Sequence, residues 1–199
     1  MELDKHAVFS LIREMKWRDL LKRSFGALGH HYKLNPPLSL EVLRDFEAKH
    51  SLVLPSDYRY FLTEIGNGGA GPFYGVFPFG QQEDGQEWKG GHLVGNLKKP
   101  FAHEQAWNEG GKKSWRASVM DGAIPICAKG CGLRIWLVIN GPQAGYVWGD
   151  DRADFQGIYP LKDANGKQLS FSDWYLSWVF DGLGRQSADG TLPLIEFPH

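Results

Sequence analysis

The sequence predicts an α+β fold: a mostly antiparallel sheet of about five to six strands with helices packed on it. Three observations carry this expectation. First, four short apolar runs, AIPICA at 123–128, LRIWLVI at 133–139, GYVWG at 145–149 and FQGIYPL at 155–161, are joined by turn-sized connections such as KGCG and NGPQA. Connections that short join antiparallel neighbours. Second, segments with helical periodicity lie before and after this block. Third, aromatics reach 14%, with eight tryptophans, which suits large side chains packed on a sheet.

The elements follow in order. Residues 4–23 read as a first helix, with Val8, Leu11, Ile12, Met15 and Leu20 on one stripe, Asp4 as N-cap and Lys22 and Arg23 at the carbonyl end. The connector SFGALGHHYKLNPP follows. Ser39 caps a second helix over 40–50, whose narrow apolar face is Leu40, Leu43 and Phe46. Pro55 opens a third helix near 56–65, and Tyr58, Phe61, Leu62 and Ile65 share one face.

That helix stops on GNGGAGP. Phosphate loops place glycines before a helix, where backbone donors face the anion. Here the glycines follow a helix, at its carbonyl end, and no GK[ST] is present. The run therefore reads as a structural corner, with Gly66 in the left-handed position that ends a helix. FYGVFPF, at 73–79, reads as a strand. HEQAWN, at 103–108, reads as a helical turn within a loop-rich stretch. In the sheet, Leu133, Ile135, Leu137 and Ile139 alternate onto the core side. Ser170 caps a last helix over 171–183, with Phe171, Trp174, Tyr175, Trp178 and Val179 as its buried stripe. The organisation expected is an N-terminal helical extension at 1–35, a main domain at 36–184 and a tail at 185–199 that ends in LPLIEF and two further residues.

The totals exclude several function classes. A formal net charge of −1 gives no basis for nucleic-acid or anionic-membrane binding. The opening MELDKHAVFSLIREMKW is amphipathic rather than a basic start with an apolar block. No apolar run approaches the ~20 residues of a membrane span. Two cysteines among 199 residues do not make a disulfide scaffold, so a reducing, cytoplasmic location is expected.

No catalytic or cofactor motif stands out. His30 and His31 are adjacent, and His92 and His103 lie in loop-like sequence. Cys127 and Cys131 lack zinc-ribbon spacing and a second pair. Both read as ordinary thiols flanking a hairpin turn. GDDRAD lacks the spacing and closing glutamate of an EF-hand loop. No metal, no cofactor and no enzyme activity are expected.

Two motifs resemble those of the SUKH superfamily, and more narrowly its Smi/Knr branch. LP..Y..FL...GNGG is carried by Leu54, Pro55, Tyr58, Phe61, Leu62, Gly66, Asn67, Gly68 and Gly69. The closing SF.DW...W is carried by Ser170, Phe171, Asp173, Trp174 and Trp178. The resemblance spans roughly 38–184. In many members the turn after IPI reads GGD, where this chain has KGCG. The resemblance implies a non-enzymatic, protein-binding domain. Many bacterial members are immunity proteins that neutralise a cognate polymorphic toxin, often a nuclease. The alternative it implies is a regulatory or scaffold module related to cell-wall-synthesis regulators. An immunity protein facing a basic toxin gains association rate from acids. Asp150, Asp151, Asp154, Glu83, Asp84 and Glu87 are therefore the expected loop acids of a partner surface. Trp88, Trp107 and Trp115 are its expected aromatic anchors.

Overall fold

A computed structural model of the chain describes residues 2–82, 87–88, 94–110 and 115–184. The expected tail at 185–199, together with Glu83, Asp84 and His92, lies outside the described residues. Helix α1 spans Lys5–Arg18, and the Asp4 carboxylate accepts the Ala7 N–H at 2.7 Å. Val8, Ile12 and Met15 are buried. Leu20, expected on the same stripe, is 63% exposed because the helix has already ended. There the Asp19 carboxylate takes the N–H groups of Arg23 and Ser24 and the Tyr32 hydroxyl, and turns the chain. A single helical turn, α2 (Ala27–His30), follows.

Helix α3 spans Leu40–His50 with Ser39 as its cap. Leu43 is fully buried and Phe46 half-buried, whereas Leu40, expected on the apolar face, is exposed. Helix α4 (Ser56–Tyr60) runs into a wider π turn, Phe61–Ile65, closed by the Gly66 N–H on the Phe61 carbonyl at 2.8 Å. The sequence pattern predicts one regular helix here and a left-handed Gly66. The extra residue in the wide turn instead leaves Gly66 extended, at φ 173°. Gly68 and Gly69 take the left-handed conformations, at φ 77° and 101°. Gly66 is still confined to glycine by contact, since a Cβ there would lie 2.8 Å from the Asn35 carbonyl oxygen.

The corner has its own hydrogen bonds. The Asn67 side-chain oxygen accepts the Phe79 N–H at 2.7 Å, and Gly69 and Val76 exchange both backbone bonds at 2.8 Å. The GNGG run is thus a backbone junction, as the sequence suggests.

The sheet is a plain antiparallel meander of four strands, β1 (Ala123–Gly130), β2 (Leu133–Val138), β3 (Val147–Asp150) and β4 (Ile158–Pro160), in that spatial order. Among the described residues it has four strands, fewer than the five to six expected. The two further stretches pair only by single bridges, Val76 with Cys127 beside β1 and Trp107 with Ile158 beside β4. Strand β1 carries irregularities between Pro125 and Cys127 and between Ala128 and Gly130. HEQAWN accordingly contains an extended bridge at Trp107, not a helical turn.

Both faces of the sheet are covered. On one, Ile124, Ile126, Ile135, Leu137 and Val147 join α1, α3, the α4 segment and the last helix, α5 (Phe171–Gly182), in the main core. On the other, Trp136, Val138, Trp148 and Ile158 pack under Phe101 and Met120. Helix α5 starts with the Ser170 hydroxyl on the Asp173 N–H, and Phe171, Trp174, Tyr175 and Val179 are buried as its periodicity predicts. Among the described residues, no helix is long and apolar enough to cross a membrane.

Candidate functional site

The acid run after β3 divides into buried and exposed members. Asp150 ends β3 and is 3% exposed. The Arg152 guanidinium donates Nε to Oδ1 at 2.7 Å and Nη2 to Oδ2 at 2.6 Å, its backbone N–H donates to Oδ1 at 3.3 Å, and Trp136 Nε1 donates to Oδ2 at 3.1 Å. Asp151, 8% exposed, accepts Lys129 Nζ at 2.9 and 2.8 Å and the Tyr159 hydroxyl at 2.7 Å. Burial, and then the Asp151 carboxylate, push the Tyr159 hydroxyl well above the usual phenol range, so it stays protonated as a donor. The expectation that Asp150 and Asp151 are exposed loop charges is therefore corrected: both are spent on internal pairs. Such pairs roughly cancel their own desolvation and fix geometry more than they add stability. Asp154 is exposed.

What the two pairs fix is the short 3-10 turn Arg152–Asp154 and the residue after it. Phe155 has φ 62° and is 80% exposed. Its N–H bonds the Arg152 carbonyl at 3.1 Å, and its own carbonyl accepts Asn108 Nδ2 at 2.6 Å. A bulky side chain is seldom found in the left-handed region. Trp115, half exposed, lies with its ring 5.9 Å from the Arg152 guanidinium. Trp107 is half-buried, bridged to Ile158 and 5.1 Å from the His103 ring, so it covers the outer face of the sheet. His103 Nε2 lies 3.2 Å from the Val119 carbonyl. The fold thus brings Trp107, Trp115 and Asp154 together around the β3–β4 turn. To them it adds Phe155 and Asn108, which the sequence pattern misses. Phe155 opens the run FQGIYPL, which reads as a strand and so hides it.

Trp88 and Glu87 lie elsewhere. Trp88 packs against Phe79 (5.1 Å) and Phe46 (5.8 Å), and its Nε1 donates to the Gln81 carbonyl at 2.7 Å. It forms one wall of an open groove of about 640 Å³ beside α3, with Lys49, His50 and Lys98 among its other linings. Glu87 is exposed on the rim of that groove.

The remaining chemistry-bearing groups are accounted for structurally. Cys127 is buried and its thiol is pushed up by desolvation; Cys131 is exposed, and both are free thiols. His30 is buried, and its Nδ1 accepts the Tyr32 N–H at 3.0 Å. Among the described residues, no three His, Cys, Asp or Glu side chains converge on a point where a metal ion would sit.

A model of the SMI1 / KNR4 family (SUKH-1) matches residues 37–177, well over half of the chain. The matched span begins just before α3, ends within α5, and contains the whole first motif stretch and the second up to the residue before Trp178. No curated protein and no solved structure matches the chain.

Proposed function

Because the chain belongs to the SMI1 / KNR4 family (SUKH-1), a family of immunity and regulatory protein-binding domains, we propose that it is an immunity protein. It neutralises a cognate bacterial toxin by direct contact, through shape and charge rather than bond chemistry. The observation that carries this reading is Phe155. The left-handed conformation of this residue is a backbone cost to the free protein, and its ring is 80% exposed. Such a cost persists where a partner recovers it, and rigid exposed aromatics are frequent anchors of protein interfaces. Asp154 next to it in the chain supplies an acid for a basic partner, and Trp115, whose ring lies by the Arg152 guanidinium of the same turn, supplies a second anchor.

The test is co-expression with the product of the immediately upstream gene, scored by surviving cells. Specific rescue that is lost in Phe155→Ala and Trp115→Ala, with unchanged melting temperatures, supports the reading. A toxic product that the wild-type chain fails to rescue counts against it. So does rescue that is indifferent to both substitutions, which removes this surface. The groove beside α3 supports a second reading, a regulatory module that takes up a peptide from its partner. Capture of several partners that depends on Trp88 and not on Phe155 would favour it.

A further inference from the structure

The described residues leave another set of exposed apolar side chains, besides the Phe155 anchor. Trp17, Leu20, Leu21, Phe25 and Leu28 are each 63–71% exposed. Five large apolar side chains exposed within twelve residues exceed the scattered exposure normal on a monomer. The stretch is built, not loose. The Asp19 carboxylate ties the Arg23 and Ser24 N–H groups and the Tyr32 hydroxyl, and the Phe25 ring meets Tyr74 edge-on at 5.2 Å. Exposed Arg13, Lys16 and Arg23 give it a basic rim. It lies outside the span shared with the family.

The chain itself supplies an occupant. Arg18 Nη1 donates to the Leu183 carbonyl at 3.0 Å, and Gly182 packs directly on Met15. The last described residue, Gly184, therefore lies beside the C-terminal end of α1, next to the apolar surface. Residues 185–199 continue from there and include LPLIEF at 192–197, with acids at Asp189 and Glu196. About seven intervening residues reach roughly 23 Å at ~3.3 Å each, enough to lay this segment over a patch twelve residues long.

We propose that residues 192–197 dock in cis on the surface formed by Trp17, Leu20, Leu21, Phe25 and Leu28. Leu194, Ile195 and Phe197 cover apolar area, and Glu196 and Asp189 face the basic rim. The segment is a strap from the end of α5 across the end of α1. A partner carrying an acidic, apolar segment of the same kind would compete with it.

The experiment uses the full chain in a Cys131→Ser background, since Cys127 is buried. Leu21→Cys and Ile195→Cys are combined and mildly oxidised over a range of protein concentrations. The expected result is an intramolecular link, independent of concentration, that forms at least tenfold faster than the same link in a chain that also carries Leu194→Asp and Phe197→Asp. Equal rates in the two chains would mean an undocked tail and would overturn the proposal. A covalent dimer that grows with concentration would assign the surface to a second copy, and would overturn it too. As an independent readout, Ile195→Asp with Phe197→Asp, at unchanged melting temperature, should raise amide exchange over residues 17–28 about tenfold. No change there would sink the idea.

Discussion

The Asp57 carboxylate accepts the backbone N–H of Ser172 at 2.9 Å, across 115 residues of sequence. Asp57 belongs to the first motif stretch, and Ser172 sits in the first turn of α5, where N–H groups lack helical partners. One bond therefore joins the two family motifs. Asp57→Ala should lower stability by about 1–3 kcal/mol, the usual worth of a hydrogen bond to a charged group. Asp57→Asn, which keeps an acceptor, should lose less. Urea titrations with an unchanged slope check this, and equal losses from both variants would refute it.

Phe61→Ala and Trp174→Ala should each cost about 3–5 kcal/mol, because both side chains are fully buried in the main core. Thermal melts near that of the parent for both variants would contradict the packing described.

Two glycines with positive φ should behave differently. A Cβ on Gly69, at φ 101°, would lie 2.4 Å from the Lys33 carbonyl oxygen, whereas nothing lies within 4 Å of one on Gly166, at φ 81°. Gly166→Ala should cost about 1 kcal/mol, the strain of the left-handed conformation alone. Gly69→Ala should cost clearly more, because backbone must move. Gly66→Val should destabilise through the Asn35 contact, not through φ. Equal denaturation midpoints for Gly69→Ala and Gly166→Ala would rule out the steric account.

Burial, helped by neighbouring His31, lowers His30 from 6.5 to about 4. The folded state keeps this ring neutral while the unfolded state takes a proton below about 6.5. The stabilisation is therefore complete above pH 6.5 and is lost as pH falls toward 4. At ~1.4 kcal/mol per unit, its pH-dependent part is about 3 kcal/mol. His30→Gln should flatten the stability–pH curve in that window, as followed by denaturation at half-unit steps. His103 and His50, also lowered chiefly by burial, act with the same sign and leave a residual slope. A curve as steep as the parent's would show that His30 is not the source.

Asp150→Ala should cost about 3–5 kcal/mol, since it removes one carboxylate of a buried ion pair. Asp154→Ala, at an exposed position, should stay within about 0.5 kcal/mol. Calorimetry separates the two, and similar losses would show that the ion pair does not anchor the turn.

The helices and strands were legible because they carry local signals. Ser39, Asp4 and Ser170 are short polar caps placed just before an apolar period, and they cap as expected. The meander showed through its turn-length connections. Leu20 was misread because apolar spacing continues past Arg18 while Asp19, a residue that competes for backbone donors, ends the helix. Gly66 was misread because a wide turn depends on how Phe61 and Ile65 pack, which periodicity does not encode. In the candidate site, Trp107, Trp115 and Asp154 were visible as residue types. The burial of Asp150 and Asp151 was not: Arg152 is two positions from Asp150, but the other partners Trp136, Lys129 and Tyr159 stand 8 to 22 positions away. Phe155 sits in a run that reads as strand, and only three-dimensional closure turns its ring outward.

The meander order of the four strands has a kinetic consequence. Each strand pairs with the next one in sequence, so sheet formation needs only short loops to close, at small entropic cost. The helices meet differently, because α4 precedes the sheet and α5 follows it. Their docking closes a loop of 115 residues, and long-range closure slows folding. The refolding barrier should therefore lie where the two motif stretches join. Destabilising substitutions at the α4–α5 junction should then act mainly on the folding rate.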